Sequence, residues 1–133
     1  MLIPEENRKD LGILVLRVLV PGTLFFAHGL GKLTAMPGIF QHFPDPIGLG
    51  AGLSAAIAIL AEGVCTIAVM LGILTRIMIL PIIGVMAVGF LFQHAGDPFA
   101  KKELALMYLI PSIALFFTGG GRYVLDRKFL GKS

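Results

Sequence analysis

Four long apolar runs constrain the fold of this sequence more than any other feature. Separated by short stretches rich in proline, glycine and charge, they cover roughly residues 11–33, 48–74, 77–94 and 102–118. About 20 helical residues cross the hydrocarbon core of a bilayer. Because backbone amides in lipid must be hydrogen-bonded within their own segment, runs of this length predict helices. The alternation of apolar and polar residues that marks a membrane barrel is not visible.

Composition supports the same interpretation. Of the 133 residues, 56% are hydrophobic and 14% are charged, whereas a soluble domain carries about a quarter charged residues. These values exclude a water-soluble globule and a disordered chain. We therefore predict an all-α fold. The whole chain, residues 1–133, is expected to form one domain, an integral membrane antiparallel four-helix bundle in a lipid bilayer, with a polar C-terminal tail at residues 119–133.

The basic residues flank the apolar runs, so the net charge of +3 predicts a membrane orientation and no nucleic-acid partner. With four spans, seven basic residues share the side of the termini and three lie on the other side. This excess predicts that both termini are cytoplasmic and makes Arg76 and Arg122 membrane-boundary residues. The two sets are Arg8, Lys9, Arg76, Arg122, Arg127, Lys128 and Lys132 against Lys32, Lys101 and Lys102.

The first apolar run carries a polar stripe. Arg17 and His28 are eleven residues apart, which is three helical turns, and Lys32 follows His28 by one further turn. A charged side chain at this depth costs at least about 2.5 kcal/mol on insertion scales, so it usually has a partner or lines a cavity. We expect the stripe to face the interior of the bundle.

Glu62 lies near the middle of the second run, where an ionised carboxylate needs a cation or a proton. Arg17 and His28 are the expected partners from the first span. Helical side chains lean toward the N-terminus of their helix, and this direction favours His28 over Arg17. Three roles remain open for Glu62: a structural ion pair, a proton or ligand site, and a subunit contact.

A second group of polar residues is expected at the outer face. His94 ends the third run and, with His28, His42 and Glu103, predicts an outward-facing pocket. No His-x-x-x-His or Glu-x-x-His spacing accompanies these residues, so no metal site is predicted. The sequence contains no glycine-rich phosphate loop and no nucleophile triad, and it indicates no catalytic residue. The single cysteine, Cys65, excludes an intramolecular dithiol site.

Four short motifs occur in an order and spacing that resembles the DoxX family of small four-span bacterial inner-membrane proteins. His-Gly-Leu-Gly-Lys-Leu begins at His28, Ala-Glu-Gly surrounds Glu62, Leu-Gly-Ile-Leu-Thr-Arg ends at Arg76, and Gly-Gly-Gly-Arg-Tyr-Val-Leu-Asp contains Arg122. The resemblance implies a membrane subunit of a quinone-linked oxidoreductase or a part of a redox-stress complex. It also implies that the recurring positions are Arg17, His28, Lys32, Glu62, Arg76 and Arg122.

The leading functional hypothesis is a membrane subunit of a quinone-linked redox complex. A buried cluster of Arg17, Glu62 and His28 would contact the quinone headgroup or relay a proton, since a histidine beside a carboxylate suits proton transfer. The chain has no soluble part for flavin or haem, so no intrinsic cofactor is expected, and the partners would be other membrane or peripheral redox subunits or further copies of the chain. The alternatives are a small proton-coupled transporter and a non-catalytic membrane scaffold or assembly factor.

Overall fold

The computed structural model describes residues 3–125. This part of the chain contains five helices joined by loops and turns, and it contains no strand. The all-α fold class is therefore confirmed. A long first helix is followed by one short helix and three more long helices. They are α1 (Glu5–Thr34), α2 (Ile39–His42), α3 (Ala51–Leu71), α4 (Thr75–Gln93) and α5 (Phe99–Thr118).

Three of the four long helices, α1, α3 and α4, are long enough and apolar enough to cross a membrane. The fourth, α5, has 20 residues, but Lys101, Lys102 and Glu103 place three charges near its start. These charges lie at one end of the helix, and the following 15 residues, 104–118, carry none. Lysine side chains keep their charged group in water while the stem lies along apolar surface.

The ends of the helices have local causes. The first helix begins at Glu5, six residues before the predicted span, because Pro4 precedes it and Glu5 and Glu6 place negative charge in its first turn. The third helix ends at Leu71 because Gly72 adopts the left-handed conformation, with φ of 78°. The predicted span had extended to residue 74, so this end is corrected.

The two ends of the helical bundle are distinct. We call the end that holds the start of α1, the α3–α4 turn and residues 119–125 the terminal end. The opposite end, with residues 35–50 and the α4–α5 loop, is the loop end. Buried Val69, Ile79 and Leu115 fill the interior toward the terminal end. Residues 126–133, which hold Arg127, Lys128 and Lys132 of the predicted polar tail, lie outside the described residues.

Three of the long helices contain a π-helical turn, a feature that the sequence pattern did not predict. The turns are Phe25–Gly29 in α1, Leu60–Cys65 in α3 and Gly89–Gln93 in α4. The turns in α1 and α4 lie toward the loop end, and the turn in α3 lies at the middle of that helix. A π-helical turn takes one more residue than an α-helical turn, so it rotates the following side chains, and such turns are frequent at functional sites.

Candidate functional site

The carboxylate of Glu62 forms an ion pair with Lys32. The Lys32 Nζ atom lies 3.0 Å from Glu62 Oε2, and the two side chains are 20% and 6% exposed. The prediction that Glu62 pairs with His28 or Arg17 is therefore corrected. Lys32 was counted among the basic residues that flank the spans, and it lies in the last turn of α1. Its side chain leans back toward the start of α1 while Glu62 leans toward the start of α3, so the two converge.

A close helix crossing brings the two charges together. A Cβ atom on Gly29 would overlap the backbone carbonyl of Glu62 and lie 3.1 Å from the Cα of Gly63. A Cβ atom on Gly63 would in turn lie 3.0 Å from the side chain of Leu33. The backbones of α1 and α3 are thus in direct contact, as small residues permit in membrane helices. We call this contact between Gly29 and residues 62–63 the glycine crossing.

The ion pair forms part of the wall of a cavity of about 600 Å³. Helices α1, α3, α4 and α5 and the loop at residues 43–49 supply a mainly apolar lining. Polar side chains interrupt this lining, and four of them, from three helices, lie away from the α4–α5 loop and the start of α3: His28, Lys32, Glu62 and Tyr108. The others are Ser54, Gln93, His94 and Lys101. A cavity of this size with an apolar wall and a few polar groups is typical of small-molecule and cofactor sites.

Tyr108 is a member of the site that the sequence did not reveal. The residue is 7% exposed, it lines the cavity, and its ring stands edge-on to that of His28 with the centroids 6.2 Å apart. An aromatic residue within an apolar run is most simply a core or lipid contact. The available signal was that Tyr108 and Tyr123 are the two tyrosines of the chain and Tyr108 alone lies within a span.

The outer part of the predicted pocket forms only in part. His94 and Lys101 line the cavity, and His94 Nδ1 lies 2.8 Å from Asp97 Oδ2. Glu103 and His42 are exposed and do not line the cavity, which corrects their place in the predicted pocket. Within residues 3–125, no three histidine, cysteine or carboxylate side chains come together as a metal site.

Arg17 does not belong to this site. Its guanidinium is 3% exposed and its Nη1 atom donates a hydrogen bond to the carbonyl of Gly120, at 3.1 Å. Eleven helical residues separate Arg17 from His28, a rise of about 16 Å, so the two ends of the predicted stripe reach opposite halves of the bundle. The predicted cluster of Arg17, Glu62 and His28 is replaced by Lys32, Glu62, His28 and Tyr108.

The predicted boundary residues Arg76 and Arg122 also stabilise the terminal end. Arg76 Nη2 donates to the carbonyl of Phe117 at 3.1 Å, which satisfies a free acceptor at the end of α5. Arg122 Nη1 donates to the side chain of Asn7 at 3.0 Å, and the Arg122 backbone N–H donates to Asp10. Residues 117–122 are thereby held against α1 and α4.

Asp45 fixes the loop that covers the cavity. Its carboxylate accepts hydrogen bonds from the backbone N–H groups of Leu49 and Gly50, at 2.7 and 2.8 Å, and from the hydroxyl of Ser54. The bond from Gly50 is the main cause that lowers the pKa of Asp45, with smaller contributions from Ser54 and Leu49. The loop thus presents the apolar side chains of Phe43, Pro44, Pro46, Ile47 and Leu49 to the cavity.

Comparisons with known proteins agree with the resemblance seen in the sequence. The family model DoxX matches residues 12–95, which include His28, Lys32, Glu62 and His94. A protein of Bacillus subtilis (strain 168) named "Putative oxidoreductase CatD" is 34% identical over 122 residues, covering 88% of this chain and 86% of that protein. No solved structure shows a significant match. Given these matches and the three apolar helices, the chain is a membrane protein that belongs to the DoxX family.

Proposed function

We propose that this protein is the membrane subunit of a quinone-linked redox complex, and that its cavity binds the quinone headgroup. The observation that carries the proposal is the Lys32–Glu62 ion pair in the wall of an apolar cavity of about 600 Å³. An ion pair that only stabilised the bundle would gain nothing from facing a space large enough for a ligand. The name of the B. subtilis relative supports a redox role.

The lining suits a quinone because it combines an apolar wall with hydrogen-bonding groups. A bound quinone would supply two-electron, two-proton chemistry. On the protein side, Lys32 Nζ offers N–H donors beyond the one directed at Glu62, and the imidazole of His28 offers a ring N–H donor. Glu62 holds the Lys32 side chain in place through the 3.0 Å ion pair.

The shape of the cavity favours binding over transport. Its lining runs from the loop end to Leu24, Glu62, Pro81 and Tyr108, near the middle of the bundle, and includes no residue of the terminal end. Beyond it, toward the terminal end, Val69, Ile79 and Leu115 are fully buried. Within residues 3–125, a passage through the bundle is therefore closed by packed side chains.

A binding experiment tests the proposal. The purified protein is titrated with decylubiquinone by calorimetry and assayed for quinone that co-purifies with it. We expect binding by the wild-type protein and its loss in the double variant Lys32→Met with Glu62→Leu. Apolar replacement of a whole buried pair is often neutral for stability, so this variant is expected to fold. Absence of quinone binding by the folded wild-type protein would refute the proposal.

A matched control is available at the other end of α1. Lys9 and Glu5 form an ion pair with N–O distance of 3.7 Å, with side chains 75% and 73% exposed. The double variant Lys9→Met with Glu5→Gln removes the same two kinds of charge without touching the cavity. It is expected to bind quinone like the wild type. If both double variants bind quinone as well as the wild type does, the Lys32–Glu62 pair has only a structural role, as in the scaffold hypothesis.

We further propose that the protein lies in the bacterial inner membrane with both termini in the cytoplasm. The seven basic residues on the side of the termini support this orientation. The cavity then faces the outer half of the bilayer. In intact cells, a membrane-impermeant maleimide should label Gln41→Cys, which lies in the exposed α2 helix, and should leave the buried Cys65 of the wild type unlabelled. Labelling of Gln41→Cys only after lysis would reverse the orientation.

A further inference from the structure

His28 and Tyr108 line the cavity without a side-chain hydrogen bond to any residue that the structure describes. Within residues 3–125, the two ring nitrogens of His28 form no hydrogen bond with a side chain or with the backbone. The hydroxyl of Tyr108 forms none either. A buried tyrosine hydroxyl usually finds a partner. The Tyr108 hydroxyl is not enclosed by protein, as Thr75 Oγ1 is, so it opens on the cavity that the residue lines.

The charged groups around the cavity are, by contrast, mostly neutralised by one another. Lys32 faces Glu62 at 3.0 Å, and His94 faces Asp97 at 2.8 Å. Lys101 is a lining cation without an acidic partner in residues 3–125, and it is exposed at the start of α5. Lys101 is two helical turns from Tyr108, so a charged ligand bound beside Tyr108 and His28 would lose its hydration without a counter-ion next to it. A neutral ligand that accepts hydrogen bonds loses much less.

We propose that the cavity selects a neutral ring that carries a carbonyl oxygen, and that Tyr108 and His28 bind this oxygen. The edge-on contact of the two rings places both side chains on the same part of the wall. Tyr108 donates through its hydroxyl, and His28 donates through one ring N–H, while the apolar remainder of the cavity holds the ring and its tail. This inference rests on the proposed function and names the class of ligand and the residues that recognise it.

Two probes test the choice of ligand. Decylubiquinone is neutral, and 4-decyloxybenzoate has a ring and a tail of similar size but carries a carboxylate. Binding of each to the wild-type protein is measured by equilibrium dialysis, because the chain has no tryptophan for fluorescence quenching. The neutral probe should bind at least about tenfold more tightly, since burial of an uncompensated charge costs more than 1.4 kcal/mol. Equal or tighter binding of the carboxylate overturns the choice of a neutral ligand.

Two tyrosine variants test the recognising residues. Tyr108→Phe removes one donor, and Tyr123→Phe makes the same change at an exposed position of the terminal end. Tyr108→Phe and His28→Leu should each weaken decylubiquinone binding about tenfold, the usual effect of one lost hydrogen bond, and Tyr123→Phe should have no effect. With a ¹³C-labelled carbonyl, the infrared stretching frequency of the bound quinone should rise in Tyr108→Phe, which a structural role alone does not produce.

The possible failures are distinguishable. If wild-type protein binds neither probe, the proposed function itself fails. If it binds decylubiquinone but Tyr108→Phe binds equally well with an unchanged carbonyl frequency, the proposed function stands and the role of Tyr108 is refuted. Thermal unfolding of each variant is measured in parallel, and the substitution Tyr108→Trp, which keeps an N–H donor, provides a second variant if Tyr108→Phe does not fold.

Discussion

Arg17 and Lys32 both lie on α1 and are both withdrawn from solvent, but they meet different partners. Arg17 donates to a backbone carbonyl beyond the end of α5, whereas Lys32 faces the carboxylate of another helix in the wall of a cavity. Around Arg17 the bundle is filled by packed side chains and by residues 119–125. Around Lys32 the helices enclose space. A buried cation that donates to a backbone carbonyl stabilises the fold. A cation that is paired with a carboxylate in the wall of a cavity is also placed where a ligand could contact it.

The largest effect is expected from breaking the pair at the loop end. Lys32→Met leaves Glu62 as an uncompensated charge, so the free energy of unfolding should fall by about 3 kcal/mol, as for other broken buried pairs. Thermal or denaturant unfolding in detergent measures this loss. Adding Glu62→Leu should restore most of it. If the double variant is as unstable as the single one, the cost comes from lost packing of the lysine stem and not from the charge.

The next effect concerns the glycine crossing. Gly29→Ala would push a methyl group into the backbone of Glu62 and Gly63, so α1 and α3 must separate, with an expected loss of about 2 kcal/mol together with weaker quinone binding. Gly31→Ala is the matched control, because a Cβ atom there has no neighbour within 4 Å. Both variants are compared by thermal unfolding and by quinone titration. Equal behaviour of the two would show that the crossing is looser than the structure indicates.

A smaller effect is expected at the terminal end. Arg17→Met removes the hydrogen bond to Gly120 but also removes a buried Nε atom that has no partner among the described residues. The two contributions oppose each other, so the free energy of unfolding should fall by about 1 kcal/mol. Quinone binding should not change. Loss of binding in a folded Arg17→Met protein would contradict the separation of the two ends and restore Arg17 to the site.

The smallest effect is local and depends on pH. Because the folded pKa of Asp45 lies below its ordinary value of 3.8, the ionised form stabilises the loop at residues 43–50. This stabilisation is complete above the ordinary pKa and is lost as the pH falls through the lowered folded pKa. Amide hydrogen exchange of Gly50 should show protection at neutral pH that disappears in strong acid. Asp45→Asn should weaken this protection at neutral pH, with little change in global stability.

The sequence was sufficient for the helices and for the charged residues of the site, but not for their pairing. Length and apolarity predicted the long helices, because lipid leaves the backbone no alternative. The depth of Glu62 predicted that it needs a partner. The partner was misidentified because Lys32 was counted among the basic residues that flank the spans, whereas its long side chain reaches back along α1 to Glu62.

Other parts of the site had little or no signal in a single sequence. A π-helical turn depends on the packing of neighbouring helices and leaves no regular pattern, so the three turns near the cavity were not predicted. The cavity itself is a property of the space between helices and of the loop that Asp45 holds. Tyr108 gained meaning only when the structure placed its ring against His28.

The glycine crossing has a consequence for how this protein could be adapted to other ligands. Where the two backbones touch, no side chain separates them, so the distance between α1 and α3 is fixed. The opposite wall, with Val85 on α4, Leu104 and Ala105 on α5, and Ile47 in the loop, consists of side chains that tolerate changes in size. Redesign for a larger or smaller ring should therefore start at these residues and leave the glycine crossing unchanged.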